Sequence, residues 1–270
     1  MPQPTIKMCR ECKASHHKTF RNVKNAVLEN ESNVPENLSR SNRGILNDYV
    51  HKNIVKKPED FAQLSRMAIP ITKYWKNTTV LTVSFMGGDK SVKDRIRQHA
   101  IQWMEFANIE LKFVTNSKKP TIIRIAFDTK DGSWSFVGTD NKTIEPGDPT
   151  MNYGWLFPET PDEEYHRTVM HEFGHALGCI HEHQHPAGGI PWDKKAAYAY
   201  YQKQGWTKEE VDQQVFNKYN GDLIRAGKVD KKSIMMYPIP DSITIGNYEV
   251  GWNNELSPGD KKYIRAVYKK

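Results

Sequence analysis

Cysteine is scarce in this 270-residue chain: Cys9, Cys12 and Cys179 are the three. That is too few for the disulfide framework that staples small secreted domains. Long apolar runs are also missing. No stretch approaches the roughly 20 apolar residues that a bilayer crossing needs, so a membrane span is excluded, in keeping with a mean hydropathy of −0.74. Residues 1–20 are polar and basic and lack the apolar core of a secretory signal. Most of the chain lacks a charge excess as well. Residues 1–75 carry 13 basic and 7 acidic side chains, whereas residues 76–270 carry 26 and 25. The net +7 and the pI near 9.1 therefore belong to the first quarter of the sequence. Nucleic-acid-binding domains concentrate positive charge on a folded surface, so no polynucleotide ligand is expected. The length suits one large domain or two modest ones.

The sequence divides in two by pattern. Residues 1–65 are rich in Asn, Lys, Ser and Glu, with short helical patterns at 23–28 and 45–55. They fit either a flexible basic tail or a pro-segment lying over the remainder. Residues 66–270 form the second unit. Within it, 79–85 alternates apolar and polar positions with β-branched residues and reads as a strand. Ser91 is placed to cap a helix through about 108. Short strands follow at 110–114 and 121–127, then turn-rich stretches at 132–138 and 146–149, and a possible edge strand at 151–157. A helix is expected at 161–179, its start acidic as the helix dipole favours and Gly178 as its stop. Further helices are expected at 208–219 and 261–268. Strand, helix, strands suggests an α+β fold, a twisted mixed sheet packed with a helix.

One segment carries chemistry. In His171-Glu172-Phe173-Gly174-His175-Ala176-Leu177-Gly178-Cys179-Ile180-His181-Glu182, His171 and His175 fall one helical turn apart on one face. Gly178 lets the chain turn, so His181 can return as a third nitrogen ligand. Three neutral imidazoles with an open position suit a catalytic zinc, whereas a structural zinc is closed by four protein ligands. Glu172 is rotated by about 100° from His171 and stands beside the metal without ligating it. His183 and His185 lie just beyond and are read as solvated loop residues.

The spacing H-E-x-x-H-x-x-G-x-x-H resembles the zinc motif of the metzincin metalloproteases, and Glu182 after the third His is similar to the astacin family. Ser233-Ile234-Met235-Met236-Tyr237-Pro238 resembles the astacin Met-turn, with Met235 beneath the histidines. Leu256-Ser257-Pro258-x-Asp260 resembles the segment before the last metzincin helix. The likeness covers roughly residues 75–270.

The resemblance implies a metzincin-like fold, a twisted mixed sheet with an active-site helix and an irregular, helical C-terminal subdomain. It implies one catalytic zinc ion held by His171, His175 and His181, and endopeptidase activity on a protein or peptide substrate. Glu172 would serve as general base and then acid, and the Tyr237 hydroxyl would stabilise the oxyanion. Substrate would pair antiparallel to an edge strand, for which residues 151–155 are the candidate, an internal strand being the other reading of the same residues. The loop 183–193 and the stretch after Tyr237 would wall the pocket for the residue following the cut. Glu182 would meet a new N-terminus exposed by processing near 66–72. A thiolate from Cys9 or Cys12, or the Asp48 carboxylate, would fill the open metal position of the zymogen. Cys9-x-x-Cys12 also fits a redox pair or half of a small zinc site with His16 or His17. Two features depart from animal astacins: the catalytic part has Cys179 alone, and an arginine-bearing continuation after Glu182 is missing. A microbial-type, disulfide-poor monomer is expected, with no membrane partner and with export suggested by the resemblance only. The alternative is a silent zinc-containing binding module acting through its basic N-terminal segment, for which Glu172 would have no use.

Overall fold

A computed structural model of the chain describes residues 9–12, 19–34, 40–52, 72–115, 120–218 and 229–270. Its centre is a six-stranded sheet of β1 (Arg10–Cys12), β2 (Val80–Phe85), β3 (Glu110–Phe113), β4 (Ile123–Ala126), β5 (Ser133–Phe136) and β6 (Met151–Tyr153). The spatial order is β1-β5-β6-β4-β2-β3. β5 and β6 are antiparallel, and the other neighbouring strands run parallel. Leu81 and Val83 of β2 and Ile123 and Ile125 of β4 are fully buried, the alternation that sends one side of each strand into the core.

Helices cover this sheet. In the N-terminal segment, α1 (Thr19–Glu29) and α2 (Arg40–Asn47) continue into a π-turn at Asp48–Lys52. Then come α3 (Lys90–Ala100) and the short α4 (Trp103–Phe106). Asp89, not Ser91, caps α3: its side chain accepts the Ser91 N–H at 2.7 Å. The expected helix to 108 is broken after Ala100. The active-site helix α5 (Asp162–Ala176) crosses beneath the sheet, with Tyr165, Val169, Phe173 and Ala176 fully buried. Gly178 ends that turn at φ +98°, as its sequence position implied.

Three expectations need correction. Residues 133–136 lie in a stretch read as turns, yet form β5; the five residues between Gly132 and Gly138 are too few to show a period. Residues 151–153 are not an edge: β6 has β4 on one side and β5 on the other. Residues 208–219 do not form one helix. They make a single turn, α7 (Lys208–Val211), and a π-turn at Asp212–Phe216, preceded by an unforeseen α6 (Lys194–Gln202). The last helix, α8 (Pro258–Val267), starts earlier than expected because Ser257 and Asp260 form a capping box around Pro258.

The described N-terminal residues are packed. Val23, Ala26, Val27, Leu46 and Val50 form a small core of their own. The Asn33 side chain then clamps residues 72–75. Its Nδ2 donates to the Tyr74 carbonyl at 2.9 Å, and its Oδ1 accepts the Tyr74 N–H at 3.0 Å. Trp75, fully buried, donates from Nε1 to the Ala176 carbonyl at 2.8 Å, tying this segment to the end of α5. Gly138 admits it. Its φ is +47°, and a Cβ there would lie 1.8 Å from the Lys73 carbonyl oxygen. Gly138→Ala combines a left-handed conformation with a backbone clash, so it is expected to cost about 3 kcal/mol or more. Thermal unfolding would show the lowered Tm; an unchanged Tm would contradict the close approach of these two segments.

Candidate metal centre and cleft

His171 and His175 stand one turn apart on α5, and His181 comes back to them after the Gly178 turn. His181 Nε2 lies 3.2 Å from His171 Nε2 and 3.1 Å from His175 Nε2. All three ligand atoms fall within 4.8 Å of one another, and all three residues are buried. Zn–N bonds of about 2.0–2.1 Å in a tetrahedron separate ligand nitrogens by about 3.3 Å, so the spacing suits one ion.

The tautomers suit it too. His171 Nδ1 donates to the Ile234 carbonyl at 2.8 Å and His175 Nδ1 to the Cys179 carbonyl at 2.9 Å. Each ring then has its proton on Nδ1 and its lone pair on Nε2, facing the common point. Burial, with the neighbouring His175, pushes the His171 pKa well below the usual histidine value, so the ring stays in the neutral, ligating form. The three residues therefore fit zinc.

The methionine turn is built from side chains far apart in sequence. Asp260 Oδ1 accepts the Ser233 hydroxyl at 2.6 Å, and Oδ2 accepts the Ile234 N–H at 2.8 Å. This fixes the peptide whose carbonyl holds His171. Met235 accepts the Glu182 N–H on its carbonyl at 3.0 Å, and its Sδ packs against Gly174, where a Cβ would come within 2.5 Å. Glu182 is held by a backbone amide of a later segment. Its Oε1 accepts the Asp230 N–H at 2.8 Å, and burial raises its pKa to about 7.

Glu172 is fully buried beside the trio, and burial raises its pKa to about 8. The Cys9 thiol lies against this carboxylate; burial, then the Glu172 charge, pushes the thiol pKa up. Tyr237 is buried, its ring 4.3 Å from that of His181, and its hydroxyl donates to the Cys9 carbonyl. The expected site residues are thus gathered in one cleft. His183 and His185 are buried rather than solvated. The His183 ring stacks on Tyr237 at 4.3 Å and its Nε2 meets the Gln214 carbonyl at 2.7 Å, so it lies outside the trio. Asp48 pairs with Lys52. The Cys12 side chain, His16, His17 and residues 66–71 lie outside the described positions.

Beside His171 opens a pocket lined by Cys9, Arg167, Met236, Tyr237, Pro238 and Trp252, among others. Pro238, just after Tyr237, lines it, and none of its lining residues comes from the loop 183–193. Arg167 was missed, although its place four residues before His171 puts it on the same helix face. Its Nε and one terminal nitrogen donate to Glu164 at 3.0 and 2.7 Å, and its guanidinium lies 4.4 Å from the Trp252 ring centroid. No sequence signal marks Trp252.

Imidazoles converging above a methionine turn, on a helix under a mixed sheet, are the framework of a metzincin zinc protease. Solved structures carry the same answer further. Myroilysin is similar at 42% identity over 73% of this chain and 96% of its own, with a TM-score of 0.71. A crystal structure of myroilysin matches at 42% identity over 73% of this chain and 86% of its own, with a TM-score of 0.58. High choriolytic enzyme 1, a hatching enzyme zinc-protease from the medaka fish Oryzias latipes, shares the fold at 18% identity, over 73% of this chain and 94% of its own, with a TM-score of 0.50. No protein-family model and no curated protein matches the chain. The chain belongs to the astacin-like metzincin family: it is a zinc-dependent metalloendopeptidase, and its substrates are proteins or peptides. The binding-module alternative finds no support among these relatives.

Asp260→Asn leaves one face of the Ser233–Ile234 turn without its acceptor. The expected cost is about 2–3 kcal/mol, and zinc should be released to a competing chelator more readily, because the Ile234 carbonyl no longer holds the His171 ring. Chelator titration followed by a zinc-sensitive dye reads this directly; unchanged release would mean that the turn is held by other contacts.

Proposed function

We propose that the chain is the latent form of the endopeptidase, in which residues 1–65 are an inhibitory pro-segment and residues 66–270 the catalytic unit. The observation that carries this reading is Cys9, buried in the cleft between Glu172, Arg167 and Tyr237. β1, which follows it, covers the free side of β5, pairing Arg10 with Trp134 and Cys12 with Phe136. Cys9 thereby occupies the place where a scissile carbonyl and its water would sit. β1 runs parallel to β5; a substrate on this edge, pairing antiparallel to β5 rather than to the internal residues 151–153, would run the other way, so the inhibitory strand is presented in reverse and is not itself cut.

His171, His175 and His181 would hold the ion. The chemistry a bound zinc ion brings is acidification of a water molecule and polarisation of the scissile carbonyl. Glu172, buried and beside the trio, takes a proton from the attacking water onto its carboxylate and later gives it to the departing amine. Its pKa near 8 in the closed cleft reflects burial, and clearing the cleft of Cys9 readmits water to it. Tyr237, once the Cys9 carbonyl leaves its hydroxyl, is free to donate to the oxyanion. The Arg167–Trp252 pocket sets a cation and a flat aromatic wall for the residue after the cut, so a basic side chain there is disfavoured. The active unit acts as a monomer on protein or peptide, without nucleic acid or membrane.

Glu172→Gln should retain zinc and lose turnover by about 10²–10⁴-fold, and Tyr237→Phe by about 10²-fold, measured as peptide-library digestion with and without chelator. Retained turnover in Glu172→Gln would sink the proton-transfer role. Mass spectrometry of the active species tests latency separately: the active form should begin after Cys9, whereas full activity with Met1 intact overturns it.

A further inference from the structure

The N-terminal residues touch the catalytic unit at two separate places. One is the cleft, where Cys9 meets Tyr237 and β1 lies along β5. The other is built by the end of α1 and the turn after it. Asn33, 1% exposed, bonds to both main-chain groups of Tyr74. Its Oδ1 also accepts the Thr72 hydroxyl at 2.8 Å, and its carbonyl accepts the Thr72 N–H at 3.2 Å. Asn30 Nδ2 donates to the Trp75 carbonyl at 3.0 Å. One oxygen of Glu29 accepts the Lys76 N–H at 3.3 Å and the Thr79 hydroxyl at 3.2 Å, while the other pairs with Lys142.

The two attachments differ in strength. In the second, the apolar side chains Val23, Ala26 and Val27 of α1 meet Leu46 and Val50 of the same segment. The bonds from Glu29, Asn30 and Asn33 to the catalytic unit are therefore presented by a piece with its own core, and they need no covalent link beyond Lys52. In the first, β1 has three paired residues, a short hold. Six residues, 13–18, join it to α1, whereas nineteen, 53–71, join Lys52 to Thr72. A short tether to a docked piece sets an effective concentration of about millimolar. The second attachment thus keeps the first in place.

We propose that Glu29, Asn30 and Asn33 form an anchor that keeps the Cys9 plug in the cleft, so that inhibition survives a cut between Lys52 and Thr72 and is lost on a cut between Cys12 and Thr19. This rests on the latent reading given above and adds where that latency is released. After the first cut, plug and anchor remain one piece of chain. Both attachments must open together for it to leave, and two linked attachments hold more tightly than either alone by about 10²–10⁴-fold. After the second cut the plug is a short peptide with one attachment, and dilution removes it. Processing just before Thr72 therefore yields a nicked complex that is still latent. The clamp also shields residues 72–75, because a protease takes its substrate as an extended strand whose main chain is free to pair.

The test uses two forms of the full chain, each given one recognition sequence for a site-specific protease, between Cys12 and Thr19 or between Lys52 and Thr72. Each is loaded with zinc, cut, diluted to nanomolar concentration and assayed on a quenched fluorogenic peptide. The first form should gain about 10²-fold or more in turnover. The second should stay at the level of the uncut chain, with both fragments eluting together in gel filtration. Asn33→Ala in the second form should weaken the cut complex by about 10-fold or more. Lys142→Ala, at a side chain 37% exposed and on the catalytic side, should weaken it by about 2–5-fold without disturbing the fold of the anchor. A second form that becomes active as soon as it is cut overturns the proposal. So does a first form that stays latent after cutting and dilution. Full activity of the uncut chain is a distinct result: it removes the latent reading, and the anchor with it.

Discussion

An imidazole has two nitrogens and, when neutral, one proton, and the cleft depends on where that proton is kept. Three rings can share one ion only if three lone pairs point inward, which places their protons on the outer nitrogens. For His175 the partner is local, the Cys179 carbonyl at the turn that Gly178 permits. For His171 it is the Ile234 carbonyl, more than 60 residues along the chain, and that peptide stays in place because Asp260 accepts from Ser233 and Ile234 together. The last helix thus reaches the metal through two hydrogen bonds and a methionine turn. A structure that lost the Asp260 carboxylate would keep its histidines and lose their alignment.

The active-site helix carries this burden on more than one face. Its apolar side, Val169, Phe173 and Ala176, is sealed in the core, which fixes the helix against rotation. A rotation of one residue's worth, about 100°, would carry both imidazoles out of the cleft. Trp103 from the neighbouring α4 donates to the Met170 carbonyl at 3.1 Å, and Trp75 donates to Ala176 at the far end. Large buried aromatics with one polar atom satisfied are well suited to this, since each combines apolar contact area with a directional bond.

What the sequence disclosed follows from the range over which each feature is determined. The zinc motif was legible because helical spacing alone puts His171 and His175 on one face, and Gly178 was legible because a left-handed turn favours glycine. Met235 and Tyr237 could be named from their motif, but their seats depend on Asp260 and Cys9, at the two ends of the chain. The edge of the sheet was misread because alternation in 151–155 tells which side of a strand is buried and not how many neighbours it has. β5 was hidden by its length, and the burial of His183 and His185 by the fact that a loop's surroundings come from elsewhere, here Gln214 and Tyr237. Arg167 was within reach: the reasoning that paired His171 with His175 applies one turn earlier.

On the latent reading proposed above, the protease carries a strand of its own chain in its cleft and must avoid cutting it, and strand polarity offers a way. Sheet pairing is satisfied by either direction, parallel bonds being slanted and only slightly weaker than antiparallel ones, so β1 obtains main-chain affinity from β5 in reverse. Catalysis has no such tolerance. Water attack needs the carbonyl carbon between Glu172 and the oxyanion donor, with the departing nitrogen on one defined side; reversal exchanges the nitrogen and the carbonyl along the cleft. Affinity is therefore kept while the reactive geometry is lost. The Cys9 carbonyl on Tyr237 completes the arrangement, because it engages the one hydroxyl assigned to the oxyanion while the thiol lies against the one carboxylate assigned to the proton.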